Sequence, residues 1–291
     1  MNNLILKGCS TALVTPFLED GAVDYDSYAA LLDRQVASGV DFLTVLATTA
    51  ETPTLTLEEK HKLLAISKEH CGGLPLLVGC GSNSVAATLE NIRQLPGADA
   101  YLVVVPFYNK PTQEGMYLYF KAIAEAAPAP VVIYNVPGRT GANMLASTAL
   151  RLAREVSGII GIKEASGKMD QCREIIDGAP LGFSVLSGDD DMTYELIRAG
   201  GHGVISVASN ALPEEVSRMC HLALEGQFAQ ASALNDKLLP LMKGCFIESN
   251  PIPVKAALAE LGLCGASVRL PLTEATEQTK QTIRQILKEW K

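Results

Sequence analysis

Ile159-Ile160-Gly161-Ile162-Lys163-Glu164 is the stretch from which the fold can be read. It is apolar on both sides of the strand alternation, so both faces of the strand must be covered, as in a parallel sheet roofed by helices. Runs of the same character recur at Ser10 to Thr15, Phe42 to Ala47, Leu74 to Gly79, Ala100 to Val105, Val131 to Tyr134, Phe183 to Leu186 and Val204 to Val207. Between them lie stretches with apolar residues at helical spacing, such as Leu57 to His70, Val85 to Leu95, Gln113 to Ala126, Ala146 to Val156 and Thr193 to Ala199. Eight strand–helix units predict an α/β fold of the (β/α)8 TIM barrel type, an architecture of ~250 residues. Pro213 to Glu225 supplies the eighth helix. Phe228 to Phe246, Val254 to Leu261 and Thr273 to Trp290 read as additional C-terminal helices. The expected division is a barrel catalytic domain over 1–226 and a C-terminal helical extension over 227–291. A doubly wound open sheet fits less well, because the first strand runs into Pro16 with no G-x-G-x-x-G after it.

Composition narrows the function classes. The 291 residues carry 24 Lys+Arg against 32 Asp+Glu, a formal net charge of −8, with no basic stripe, which argues against nucleic acid or an anionic membrane as partner. At 48% hydrophobic and 19% charged, the chain can bury a large core. Its longest apolar runs fall far short of the ~18 residues of a spanning helix. No basic segment precedes an apolar stretch at the N-terminus, so no secretory signal is expected. The seven cysteines are odd in number and never spaced C-x-x-C, so no metal site or disulfide framework is expected and they read as reduced thiols of a cytoplasmic protein.

In a barrel, chemistry belongs at the C-terminal ends of the strands. Lys163 ends the sixth. An ammonium on a β-branched strand is expensive to bury, and burial lowers its pKa, which makes a nucleophilic amine fit for Schiff-base chemistry. The competing reading is a lysine that reaches solvent or pairs with Glu164. Strict alternation puts Ile159, Gly161 and Lys163 on one face, with Gly161 leaving space below the lysine stem. The second strand ends in Thr48-Thr49, whose hydroxyls and turn amides suit a carboxylate, although Thr-rich turns are also common without function. The fifth ends in Tyr134-Asn135-Val136-Pro137-Gly138-Arg139, a proton-relay phenol and a planar cation for a second carboxylate; the bland alternative is a core tyrosine and a surface arginine. After the fourth, Phe107-Tyr108 forms an aromatic pair in a loop, suited to an interface or the barrel mouth. Asp189-Asp190-Asp191 reads as helix capping, and His202 has no metal-spaced partner.

The set of a Thr-Thr turn, a strand-five tyrosine and a strand-six lysine resembles the pyruvate-dependent class I aldolases, the superfamily of N-acetylneuraminate lyase and dihydrodipicolinate synthase. The resemblance runs from Gly8-Cys9-Ser10-Thr11-Ala12-Leu13-Val14-Thr15-Pro16-Phe17 to Asn250-Pro251-Ile252-Pro253-Val254-Lys255. Tyr134 to Gly141, Pro106 to Pro111 and Gly200 to Val207 are similar to the synthase branch in particular. The resemblance implies that Lys163 forms the imine with pyruvate and that Thr48 and Thr49 hold its carboxylate, with the Ile205 backbone nearby. It further implies a proton relay of Thr49, Tyr134 and Tyr108, with Tyr108 contributed across a tight dimer interface. Arg139 would bind the carboxylate of L-aspartate 4-semialdehyde. It implies no metal or organic cofactor and a homotetramer built as a dimer of dimers.

Two departures from the family carry expectations. Alanine stands at Ala47 and Ala50, where glycine flanks the Thr-Thr pair in the family, so a left-handed backbone at either would be strained. In feedback-inhibited members the effector pocket uses histidines, a glutamate and a tyrosine. The matching positions here are Leu57, Lys60, Ala87 and Phe107, with Asn83 retained, which implies weak or absent inhibition by L-lysine. The alternatives are an aldolase acting on N-acetylneuraminate or a 2-keto-3-deoxy acid, a catalytically silent metabolite-binding barrel, and a phosphosugar enzyme with phosphate at Gly188 and Gly203. Arg139 weighs against the first and the intact lysine, tyrosine and threonines against the second.

Overall fold

The computed structural model describes residues 4–290. Eight parallel strands close on themselves in sequence order, with β8 hydrogen-bonded to β1. They are β1 (Gly8–Ala12), β2 (Phe42–Val45), β3 (Leu76–Gly79), β4 (Ala100–Val104), β5 (Val131–Asn135), β6 (Ile159–Glu164), β7 (Ser184–Ser187) and β8 (Gly203–Ser206). The expected (β/α)8 TIM barrel is therefore what forms. The first strand starts two residues earlier than the sequence suggests. The outer helices are α1 (Tyr25–Ala37), α2 (Leu57–His70), α3 (Val85–Gln94), α4 (Gln113–Ala126), α6 (Ala146–Glu155), α7 (Met169–Gly178), α8 (Thr193–Arg198) and α9 (Pro213–Leu224), with the short α5 (Pro137–Thr140) following β5. Then come α10 (Phe228–Gly244), α11 (Ile252–Glu260) and α12 (Glu277–Leu287). No helix among the described residues is long and apolar enough to cross a membrane.

The strands are buried on both faces, and each face has its own partners. Ala12, Phe42, Leu77, Leu102, Val132 and Ile205 fill the barrel interior, while Leu43, Val78, Ile133, Ile162 and Val204 pack outward against the helices. Alternation breaks once, in β6. Val131 pairs with Ile159 but Val132 pairs with Gly161, so Ile160 is an extra residue. Ile159 consequently joins the outer layer and Ile160 the inner one, which corrects the expectation that Ile159 shares a face with Lys163. Gly161 also has a different reason for being glycine. A Cβ there would come within 2.6 Å of the Ser184 carbonyl oxygen, so its absence permits the close approach of β6 and β7.

α11 is buried from Ile252 to Leu258, and Lys255 lies within that stretch with no exposed surface. Its Nζ pairs with Glu51 Oε1 at 2.6 Å and donates to the Ser267 carbonyl at 2.8 Å. The Arg269 amide donates to the other Glu51 oxygen at 2.9 Å. The Arg269 guanidinium in turn forks onto Glu59 at 2.6 and 2.8 Å, holding that carboxyl down at about 2. Glu59 also completes the capping box of α2 with Thr56. Removing one partner of a fully buried ion pair strands the other charge. Lys255→Met is expected to cost about 3–5 kcal/mol, and Glu51→Gln with Lys255→Met to recover most of it, read by urea unfolding at fixed protein concentration; a single variant as stable as the parent would contradict this.

Candidate active site

Lys163 and Tyr134 face each other across the β5–β6 ladder as register partners. The Lys163 ammonium lies 4.5 Å from the centroid of the tyrosine ring. The lysine is 4% exposed. Burial lowers its pKa to about 8; the carboxylates of Asp190 and Asp189 pull it upward and the Arg139 charge pushes it down. The pairing with Glu164 does not occur. Glu164 belongs to the opposite face, where its carboxylate accepts from Asn135 Nδ2 at 3.0 and 3.1 Å, Gln171 Nε2 at 3.0 Å and the Ser166 amide at 2.9 Å. The slot for the lysine stem is made by Gly188, where a Cβ would meet Lys163 Cε at 3.0 Å and Ala165 Cβ at 2.6 Å.

Tyr134 is also buried, which raises its pKa, while the Arg139 charge and the adjacent Thr48 hydroxyl act in the opposite direction. This geometry differs from the relay expected from the resemblance. Thr48 is the threonine whose hydroxyl acts on the Tyr134 phenol, opposing the rise in its pKa, whereas the buried Thr49 accepts at Oγ1 from Asn250 Nδ2 at 2.9 Å. The reason is the 3-10 turn Thr48–Ala50, which rotates successive side chains by about 120° and so sends adjacent hydroxyls in different directions. Thr52 Oγ1, donating to the Ala47 carbonyl at 2.7 Å, and Thr15 Oγ1, donating to that of Ala50 at 2.9 Å, brace the turn.

Alanine fits both flanking positions. Ala47 is extended, at φ −96° and ψ −165°, and Ala50 lies in the 3-10 turn; the left-handed residues are their neighbours Leu46 and Glu51, both at φ 53°. Arg139 sits on α5 with its Nη2 donating to the Asn250 carbonyl at 3.3 Å, and its charge reaches both Lys163 and Tyr134. Ile205 is fully buried in the same inner layer as Tyr134. Tyr108 is the outlier. It is 88% exposed with φ 72°, in a loop tied by Asn83 Nδ2 to the Phe107 carbonyl at 3.2 Å and by Asn109 Nδ2 to the Asn83 carbonyl at 3.0 Å, so it takes no part in its own chain's site.

The acidic run after β7 is more than helix capping. None of its side chains caps the 3-10 turn they open. Asp190 is buried and instead accepts from Ser206 Oγ and from the amides of Val207 at 2.9 Å and Ala208 at 3.3 Å, organising the loop after β8. Asp189, close enough to Lys163 for the two charges to interact, is raised to about 6 by burial and by Asp191. Asp190, Gly188 and Asn250 are the site residues that sequence reasoning missed. Among the described residues no cluster of three or more His, Cys, Asp or Glu could hold a metal ion. A cavity of about 430 Å³ extends from Thr48, Tyr134 and Arg139 to Leu57, Lys60 and Phe107.

A model of the dihydrodipicolinate synthetase family matches residues 5–290. The chain is 51% identical to the 4-hydroxy-tetrahydrodipicolinate synthase of Phocaeicola vulgatus, over 98% of this chain and 97% of that one. It superposes on the crystal structure of dihydrodipicolinate synthase from Thermotoga maritima with a TM-score of 0.96 and 44% identity, covering 98% and 99% of the two chains. It also superposes on the chloride-inhibited enzyme of Acinetobacter baumannii complexed with pyruvate, with a TM-score of 0.94 and 41% identity, covering 97% and 98%. The matched span includes the lysine-bearing strand, the Thr-Thr turn and the C-terminal segment that touches it, and this chain belongs to the dihydrodipicolinate synthetase family.

Proposed function

We propose that the protein condenses pyruvate with L-aspartate 4-semialdehyde to 4-hydroxy-tetrahydrodipicolinate, a Schiff-base lyase reaction of lysine and diaminopimelate biosynthesis. The observation that carries this reading is a desolvated Lys163, its pKa lowered to about 8, in register with a buried Tyr134. The neutral amine adds to the pyruvate ketone, and loss of water leaves a protonated imine. That imine withdraws electrons from the methyl group, which gives up a proton to form the enamine. The enamine carbon attacks the aldehyde, and the new alkoxide takes a proton. The amino group of the second substrate then attacks the imine carbon, closes the ring and expels the Lys163 amine.

The residue roles follow from charge and position. Thr48, Thr49 and the Ile205 backbone receive the pyruvate carboxylate. Tyr134 moves protons in exchange with Thr48, whose hydroxyl opposes the rise in the phenol's pKa. Arg139 receives the carboxylate of the aldehyde. The division into a catalytic barrel over 1–226 and a helical extension over 227–291, of which 1–3 and 291 lie outside the described residues, completes this reading. Tyr108, exposed in a loop whose neighbours Phe107 and Asn109 are bonded to Asn83, serves the site of a neighbouring copy within a homotetramer built as a dimer of dimers. The seven thiols are unpaired, which suits a reducing cytoplasm.

Borohydride reduction in the presence of pyruvate should add a stable mass to Lys163 and none to Lys163→Ala. The formation rate of the adduct should rise about tenfold per pH unit below pH 8 and level off above it, because only the unprotonated amine adds to the ketone. A pH-independent rate across this range, or labelling elsewhere, would remove Lys163 from its role. Arg139→Ala should leave trapping intact yet raise the KM for the aldehyde, and unchanged aldehyde kinetics in the coupled assay would break the second-substrate assignment. Millimolar L-lysine should leave turnover essentially unchanged. Lys60, already pushed down in pKa by partial burial, would repel an ammonium, and Leu57 and Ala87 offer it no acceptor; strong inhibition would refute this.

A further inference from the structure

Asn250 connects the two places where organic acids are proposed to bind. Its side-chain Nδ2 donates to Thr49 Oγ1 at 2.9 Å, and its backbone carbonyl accepts from Arg139 Nη2 at 3.3 Å. It is 6% exposed, and its buried Oδ1 accepts from no protein group among the described residues. The residue is held firmly from its C-terminal side. α11 begins two positions later, and its Lys255 is bonded to Glu51, the residue directly after the Thr48–Ala50 turn.

A threonine hydroxyl has one hydrogen to give and two lone pairs to receive with. Because an amide N–H of Asn250 fills one lone pair, the Thr49 hydrogen is not spent on Asn250 and is free to donate to an anion. With the amide reversed, Oδ1 would take that hydrogen. The reversed amide would also leave both N–H donors without an acceptor, whereas the observed one places one of them on Thr49 and leaves the carbonyl oxygen without a donor.

We infer that Asn250 is a positioning residue: its amide fixes the Thr49 hydroxyl as a donor to the substrate carboxylate, and its carbonyl holds Arg139 beside the same site. The inference rests on the reading that Thr49 receives the pyruvate carboxylate. Asn250→Leu removes the amide at similar volume. Asn250→Asp presents a group that takes the Thr49 hydrogen and adds a negative charge next to the anion site.

The experiment is the pyruvate dependence of borohydride trapping, together with KM and kcat from the coupled assay, in the parent and in a Thr49→Val background. The half-saturating pyruvate concentration should rise about threefold or more in Asn250→Leu and about tenfold or more in Asn250→Asp, with kcat changed less. In the Thr49→Val background, Asn250→Leu should add less than about twofold, because the two residues act through one bond. A half-saturation within twofold of the parent, or an effect undiminished by Thr49→Val, would overturn the inference; if the leucine variant does not fold, the aspartate variant carries the same test. If the parent protein traps no pyruvate, the functional reading itself fails. If it traps pyruvate and the Asn250 variants match it, only the role of Asn250 falls.

Discussion

The desolvation of a single amine at residue 163 is the constraint to which the rest of the site is fitted. An ammonium inside a barrel of aliphatic side chains loses hydration that nothing apolar can replace, so the neutral form is favoured. The surroundings tune this without cancelling it. Asp189 and Asp190 contribute attraction but form no ion pair with Lys163, Glu164 is committed to the other face by Asn135, Ser166 and Gln171, and Arg139 opposes the positive charge. A carboxylate in direct contact would have restored the charge and removed the neutral amine. The pKa of about 8 is the resultant of these forces, and it leaves a minority of neutral amine at neutral pH.

The second organising feature is that the Thr-Thr turn is not self-supporting. It sits between two left-handed non-glycine residues, Leu46 and Glu51, a backbone arrangement that persists only where surroundings determine it. Those surroundings come from the far end of the chain. Lys255 and the Arg269 amide grip the Glu51 carboxylate, Asn250 reaches Thr49, and the Arg269 guanidinium donates to the Thr54 carbonyl at 2.9 Å. The helices that follow β8 therefore act on the catalytic face through the turn that follows β2.

The legible parts of the sequence were those set by local periodicity. Doubly apolar runs gave eight strands in order, and a lysine among isoleucines stood out because its burial is costly. Tyr134, closing β5, and Arg139, in the turn just after it, stood out because a phenol and a planar cation at a barrel's C-terminal edge suit proton relay and carboxylate binding. What was not legible depended on contacts that spacing does not encode. One extra residue at Ile160 flips Ile159 to the outer layer, and nothing in Ile-Ile-Gly marks which residue is extra. Two consecutive threonines are interchangeable in sequence until the 3-10 turn sends them different ways. Asp190 reads as helix capping because the amides it satisfies lie 17 and 18 positions away. Asn250 lies 201 positions from Thr49, and the sequence offers it only as the first residue of a stretch similar to the family, with nothing to pair it with that turn.

The burial that lowers the Lys163 pKa also works against stability, and its sign can be followed. The folded state holds the amine near 8 while the unfolded chain holds it near 10.5, so between these values the unfolded state binds more protons. Stability therefore rises with pH through that window as the folded-state penalty is relieved. Below it the full penalty applies, on the order of 3 kcal/mol for a fully buried group. The rest of the barrel must offset this at neutral pH, and the doubly buried strands are where it can do so, through apolar surface that carries no charge to desolvate. Catalytic competence and a large two-layered core are, in this chain, two sides of one requirement.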